Sequence, residues 1–565
     1  MQDWSDGYMT EVAYTYGYYS ELNPLRARLA LLEAGILPPD IGAACELGFG
    51  QGVSVNVHAA ACGAAWHGTD FNAAQVGFAR ELARDTPLAA TLSDETFEAF
   101  CRRDDLPQFD FIALHGIWSW ISDANRAVIA DFIERKLNVG GLVYVSYNTQ
   151  PGWAAVGPLT ELMAGFDSAL NPPGIGPAAR IDAALGFADK LLASGALYGK
   201  ANPQAARHLE RLRGQDRRYL AHEYLNRDWQ PMPFARMRGW MEGARLQFAA
   251  SAHYLDHVPM LNMSAEQQAL LAELPDAAFR ETARDFMVNR LFRRDYWVRG
   301  ARRLAPGERA ERLRAQRVIL ATPAARVKLK VSGALGEATL HEDVYRPILE
   351  ALADHAPRSL GEIEEAVAPR GINLIRIVEA VMVLAGNGTL HPAQDDAAIA
   401  HARPRTVLLN ARLCALARHA DDVTCLASPV TGGAVQVARI DQLFLLARSL
   451  GHEGVAAMAG FAGQVLAPRA SASSRTAKRW RMPSRRRRWD ARPRSSTPSA
   501  CHCCAPSASP EATTALDPGS SAVGIACARC GRARLKAGLS SWQDGPGAAH
   551  RAPVCKGLSK MPGRD

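Results

Sequence analysis

The chain has 565 residues, 65 of them basic and 57 acidic for a net charge of +8, and 48% are hydrophobic. Such a composition fits a soluble globular protein with room for three or four domains, not a disordered or fibrous chain. No apolar run approaches the ~18 residues needed to span a bilayer, and the polar start MQDWSD is no secretory signal. A cytoplasmic protein without membrane insertion is expected.

Residues 1–22 are dense in tyrosine, with Tyr8, Tyr14, Tyr16, Tyr18 and Tyr19. Asn23-Pro24 opens a helix, with Asn as cap and Pro at the first helical position. That helix sets Leu25, Leu29 and Leu32 on one face and stops near Gly35. Strands are expected at 43–47, 64–70, 88–92, 109–114 and 141–147, separated by helices at 53–62, 72–84 and 123–137. The alternation predicts an α/β fold, a mostly parallel sheet with helices on both faces. Past Pro151 it ends. Residues 155–300 read as largely helical, with breaks at 171–176 and near Pro231 and Pro233. Residues 326–400 predict three short helices, at 343–355, 360–367 and 374–386, followed by GNGTLHP, a winged-helix pattern. Residues 401–465 place helices around LASPVTGGAVQV, whose proline and paired glycines predict a tight hairpin-like loop.

Glu46-Leu47-Gly48-Phe49-Gly50-Gln51-Gly52 joins the first strand to the next helix. Alternate glycines let the backbone turn sharply and approach a ligand closely. The spacing is GxGxG, whereas a dinucleotide fingerprint needs GxGxxG. S-adenosylmethionine has no phosphate to place on a helix N-terminus and needs only that close approach. Asp70 ends the second strand, where a carboxylate can accept both ribose hydroxyls. The competing reading is a glycine-rich turn without a ligand.

ELGFGQG with TDFN after it resembles the cofactor-binding half of class I S-adenosylmethionine-dependent methyltransferases, which implies a Rossmann-like sheet and that cofactor. By the resemblance Glu46 lies near the methionine amine, Asp70 holds the ribose, and Asp94 is the candidate by the adenine. Gly48, Phe49, Gly50, Gly52 and Phe71 complete the expected cofactor residues. YTYGYYSELNP, FDFIALHGIWSWIS, YLAHEYLNRDWQPMPF, RDFMVNRLFRRDYWVRG and LASPVTGGAVQV resemble bacterial methyltransferases with a methyltransferase regulatory domain. That family includes protein lysine methyltransferases of outer-membrane proteins. The implied organisation is a cofactor-binding core with its aromatic N-terminal segment over 1–165, then a helical regulatory domain over 166–310 that is a candidate to complete the sheet. A winged-helix-like module over 311–400 and a helical segment over 401–465 follow.

The 109–114 strand delivers His115-Gly116-Ile117-Trp118-Ser119-Trp120 to the carboxyl edge, where open α/β sheets bind ligands. His115 is a candidate base, or holds the loop through the backbone. Trp118 and Tyr16 are candidates for an aromatic wall about a cationic acceptor, against ordinary core packing. Weaker signals remain. His222-Glu223 lacks the second histidine of HExxH, so structural hydrogen bonding is expected and no metal. Arg290, Arg293, Arg294 and Arg299 fall on a predicted helix, as a solvated face or an acidic-protein contact. The presumed recognition helix INLIRIVEAVMVLAG holds one cation, Arg376, so packing or protein contact is expected there and no specific nucleic acid.

Charge and cysteine divide along the chain. Residues 466–565 hold 19 basic and 5 acidic side chains, leaving 46 and 52 in the first 465. The body's five cysteines are scattered, as in a reducing compartment. The tail is rich in Arg, Ser, Pro and Ala without apolar periodicity, so no packed core is expected despite CHCC and CARC. Pro468–Trp480, back-translated and shifted by two nucleotides, permits QGQRLVKDGKAL, so a frameshift near 466 and a disordered tail are expected. The leading function is methyl transfer to a protein or peptide lysine, with an outer-membrane protein among the candidate substrates and a homodimer left open. The alternatives are a small-molecule methyltransferase and a non-catalytic S-adenosylmethionine-binding regulator.

Overall fold

β1 (Ala43–Leu47), β2 (Ala65–Asp70), β3 (Ala90–Asp94), β4 (Phe109–Leu114), β5 (Leu137–Asn148), β6 (Leu246–Ser251) and β7 (Phe292–Arg299) share one sheet in the order β3-β2-β1-β4-β5-β7-β6. A computed structural model gives this arrangement and describes residues 15–467, Pro173 excepted. Tyr8, Tyr14 and the tail from 468 onward, with its cysteines and the expectations attached to it, lie outside the described residues. β1 to β5 pair in parallel, as the strand–helix alternation requires. In β4 every residue but Asp110 is buried, the pattern of a strand covered on both faces.

β7 runs antiparallel between β5 and β6. This corrects the expected helix around Arg290–Arg299 and its solvated face. Arg293 is buried and the other three are half-buried, each with acceptors inside the fold. Arg293, 5% exposed, meets Asp285 and Glu281 at 2.8 Å and Asp295 at 2.9 Å, with its guanidinium over the Phe234 ring. Arg290 reaches Asp256 at 3.0 Å, and Arg299 donates to the carbonyls of Glu134 and Leu137. The stretch 155–300 is therefore not simply helical: it supplies the last two strands.

α1 (Pro24–Glu33) begins on Asn23, whose side chain accepts the Leu25 N–H, with Pro24 at its first position. It shares one face of the sheet with α2 (Val53–Ala61) and α3 (Ala73–Ala83) through Leu29, Val55 and Val76. α4 (Phe97–Cys101) and α5 (Asp123–Lys136) cover the other face through Phe100, Phe132 and Ile133. α6 (Gly157–Leu170), α7 (Pro177–Ala193), α8 (Leu197–Ala201), α9 (Pro203–Arg213) and α10 (Arg217–Tyr224) make a helical lobe. Its own core holds Leu159, Met163, Ile181, Leu185, Leu209 and Leu220. α11 (Phe234–Gly243) returns to the α5 face through Met237 and Met241. α12 (Pro259–Asn262), α13 (Ala265–Glu273) and α14 (Ala277–Met287) then lead to β7.

Beyond the sheet come α15 (Pro306–Arg314), β8 (Arg317–Leu320), the hairpin β9 (Lys330–Gly333) and β10 (Gly336–Thr339), and α16 (Glu342–Ala351). β11 (Arg358–Ser359), α17 (Leu360–Val367), α18 (Leu374–Gly386) and β12 (Leu390–Ala393) follow. β11 and β12 both pair antiparallel with β8, so three helices meet a three-stranded sheet as in a winged helix. The third strand comes from upstream of residue 326 instead of from a wing. α18 buries nine of its thirteen residues, which makes it a packing helix. α19 (Asp396–Leu416), β13 (Cys425–Ser428), β14 (Gly433–Gln436), α20 (Arg439–Ser449) and α21 (Val455–Leu466) close the described chain. β13 and β14 are the hairpin expected from LASPVTGGAVQV. Its buried loop is tied to α2 and to the segment before α1: Gln394 Nε2 donates to the Ala61 and Pro429 carbonyls, and Asn23 Nδ2 donates to the Thr431 carbonyl at 2.8 Å. Among the described residues no helix is long and apolar enough to cross a membrane.

Candidate active site

The glycine loop sits where β1 passes into α2, at the carboxyl edge of the sheet. Gly48, Gly50 and Gly52 take φ of +70°, +58° and +69°, the left-handed region that side chains disfavour. A Cβ at Gly48 would strike Cδ1 of Ile117, and one at Gly52 would strike Cβ of Ala79. The loop can therefore lie close to its neighbours and to a ligand only as glycine. Phe49 turns inward, buried over β2 beside Gly68, while Phe71 is half-buried just past the end of β2.

Two acids flank this loop. Glu46 is 1% exposed, and its Oε2 has no hydrogen-bond partner among the described residues. Burial, reinforced by the charge of Asp70, pushes its carboxyl up to about 8. A buried oxygen left unsatisfied is costly, and a cationic group would relieve it. Asp70 accepts the Gly50 N–H on Oδ2 and the Asn72 N–H on Oδ1, both at 2.9 Å. Burial still raises it to about 6 against those two donors. Each carboxylate oxygen can accept a second hydrogen bond, which leaves capacity for a hydroxyl. Asp94 ends β3 in register with Asp70 and is exposed.

His115 follows β4 against two tyrosines. Tyr19 stacks on its face at 3.5 Å between centroids, and Tyr144, 5.8 Å away between centroids, meets its edge with Oη 2.8 Å from Nδ1. Burial, with Arg294 adding to it and Glu21 opposing, drives the imidazole down to about 3, so it is neutral near pH 7. The Gly116 N–H donates to Ser146 Oγ at 2.8 Å, which fixes the turn after β4 to β5. Glu21 and Arg294 face each other at 3.4 Å. Burial opposes the Glu21 charge, but Arg294 and Arg26 outweigh it and hold the carboxyl down at about 2. His253, just past β6, is neutral for the same reason as His115: burial lowers it to about 4.

Not every expected residue joins this group. Trp118 is wholly enclosed in the α5-side core, edge-on to Trp240. Tyr16 packs edge-on against Phe78 of α3, so the tyrosine that reaches His115 is Tyr19. His222 is buried, and its carbonyl accepts from Asn226. Among the described residues no three His, Cys, Asp or Glu side chains gather as a metal site. Glu21, Tyr144 and His253 escaped the sequence reading. A lone Glu before a helix cap carries no spacing signal, and its partner Arg294 lies 273 residues away.

Residues 216–299 match a predicted methyltransferase regulatory domain. The Synechocystis protein sll1526 is 40% identical over 456 residues, covering 80% of this chain and 89% of that one. The chain belongs to the methyltransferase family that carries this regulatory domain. RP789 of Rickettsia prowazekii is 27% identical over 291 residues, about half of each chain at 50% and 51%. PKMT2 of Rickettsia typhi, solved in complex with AdoHcy, shares the fold at a TM-score of 0.59 and 16% identity, covering 82% of this chain and 94% of its own. The matched regulatory segment of this methyltransferase contains β6 and β7, so it is built into the catalytic sheet.

Proposed function

We propose that the methyltransferase moves the methyl group of S-adenosylmethionine to a lysine side chain of a protein. The observation that carries this reading is the pair Glu46 and Asp70 on adjacent strand ends, with the glycine loop between them. Glu46 offers its unsatisfied buried oxygen to the donor's amino group, and Asp70 offers its remaining lone pairs to the ribose hydroxyls. Asp94, exposed beside Asp70, is assigned to the adenine side. AdoHcy in the Rickettsia typhi structure supports the same donor. Bound there, S-adenosylmethionine supplies a methyl on a sulfonium whose departure needs no acid, because the bonding pair stays on sulfur.

The lysine acceptor is supported by the resemblance to bacterial protein lysine methyltransferases and by the His115, Tyr19 and Glu21 group at the end of β4. His115 is held too far down, at about 3, to keep a lysine proton, so that proton leaves to water. What the neutral imidazole can do is accept an N–H of the amine and aim its lone pair. Tyr19 and Tyr144 hold the ring in place for that task. Alignment of this kind lowers a barrier by ~7–11 kcal/mol in favourable cases. Among the described residues the five cysteines are free and buried, which suits a reducing cytoplasm, where we place the enzyme.

Incubation of the protein with methyl-labelled S-adenosylmethionine and host-cell lysate tests this. Label should appear in protein bands and, after hydrolysis, in methyllysine. Label confined to small products overturns the protein acceptor. Tight binding with no turnover across a broad acceptor screen makes the protein a cofactor sensor instead.

A further inference from the structure

Glu21 stands on a short turn, Ser20–Leu22, between the tyrosines and α1, and its side chain is 14% exposed. Burying a charged carboxylate is expensive unless its partners are good. Here they are loose. Arg294 Nε stands 3.4 Å from Oε1, and the Ser20 hydroxyl stands 3.3 Å from Oε2. Charge-assisted bonds of this kind close to about 2.7–2.9 Å, and an ionised carboxylate has roughly four acceptor sites. The carboxylate is not what anchors this segment, because the backbone already does so. Tyr296 Oη donates to the Glu21 carbonyl, Tyr254 Oη donates to the Arg26 carbonyl, and Asn23 is tied to Thr431. The position of the side chain is informative. Two residues earlier Tyr19 covers His115, and the Glu21 charge is felt at both His115 and His253.

We propose that Glu21 is the acceptor-recognising carboxylate of the transfer site: it receives the ammonium of the incoming lysine and delivers the side chain to His115. The inference rests on the lysine reading above. The lysine arrives as an ammonium, attracted by Glu21 and passing the aromatic ring of Tyr19, which favours cations. One proton leaves to water, and the amine nitrogen donates a remaining N–H to His115. Its lone pair then forms the new N–C bond as the C–S bond breaks, with the electron pair left on sulfur and a methylated ammonium as product.

The test uses the full chain with labelled S-adenosylmethionine and poly-L-lysine as probe, counting methyllysine. Glu21→Gln should raise KM for poly-L-lysine by about tenfold or more, as expected for losing a charged hydrogen bond. Its kcat should stay within about threefold, and cofactor affinity should not change. Glu21→Asp, which keeps the charge on a shorter arm, should recover part of the loss, with unchanged circular dichroism in both variants. An unchanged KM in Glu21→Gln overturns the proposal, and so does a loss confined to kcat or to cofactor binding. If the wild type places no label in lysine, the lysine reading fails first and takes this inference with it. Methyllysine in the wild type with an unaffected Glu21→Gln overturns the inference alone.

Discussion

The ring of Tyr19 lies flat on the imidazole of His115, with centroids 3.5 Å apart and planes 18° apart. Tyr144 Oη holds the ring at Nδ1 from 2.8 Å. The imidazole is thus held in one orientation at the end of β4. Tyr19→Ala removes one wall and should cut kcat by about 3–10-fold, in line with an aromatic contact of about 0.5–1.5 kcal/mol. Tyr19→Phe keeps the ring and should stay near wild type. Steady-state kinetics with a cofactor titration beside them check that the loss lies in turnover.

Glu46 predicts a proton count. Its carboxyl keeps a proton up to about pH 8, whereas pairing with a cationic amine needs the carboxylate. Binding of S-adenosylmethionine at pH 7 should therefore release roughly one proton. The release should fall as the pH passes 8, where Glu46 is already ionised. Calorimetry in buffers of different ionisation enthalpy measures this, and Glu46→Gln should abolish it. A wild type that releases no proton at pH 7 contradicts the assignment of Glu46.

Arg293 is the shared counter-ion of Asp285, Asp295 and Glu281, all in the interior. Arg293→Ala removes the nearest cation of all three, leaving Asp285 and Glu281 only the more distant Arg290 and Arg284, and should destabilise the protein by about 3–5 kcal/mol, as broken buried pairs do. Denaturant unfolding would show it as a clear drop in midpoint. A change under about 1 kcal/mol would mean that β7 tolerates the unpaired charges.

Gly433 starts β14 against the segment that leads to the site. A Cβ there would collide with Tyr18 Oη and come within 2.7 Å of Asn23 Nδ2. Gly433→Ala should cost about 1–3 kcal/mol through overpacking and lower turnover by displacing Tyr19 and Glu21. Gly460→Ala, in an open helical position, is the control and should change neither property. Thermal melts and kinetics on both variants check this.

β1, β4 and β5 are legible as apolar runs between helices and the glycine loop marks the first crossover, whereas β3, Ala-Thr-Leu-Ser-Asp, is faintly marked by its residues. β7 is not legible. Phe292–Arg299 interleaves arginines and an aspartate with aromatics, and in isolation such charges read as solvent-facing. Only the distant partners Asp285, Glu281 and Tyr147 make them interior, and no local period encodes that. Asp70 is marked in the sequence by its place at the end of the second strand and Glu46 by the methyltransferase resemblance, and the fold sets both beside the glycine turn. Closeness to β4 leaves Trp118 open to either cleft wall or core, and the turn at Trp118–Trp120 carries its ring into the core. Glu21 had no motif to mark it, since its meaning comes from Arg294 and His115 after folding.

Calorimetric titration of S-adenosylmethionine into the wild type, Asp70→Ala, Glu46→Gln and His115→Ala tests the central claim most directly. Asp70→Ala removes ribose acceptors, each worth roughly 1.5–3 kcal/mol, and also frees the Gly50 N–H. It should bind at least about tenfold more weakly than the wild type. Glu46→Gln should also weaken binding, while His115→Ala should bind normally and turn over slowly. Wild-type affinity in both Asp70→Ala and Glu46→Gln, with unchanged circular dichroism, would contradict the assignment of this loop as the methyl-donor site.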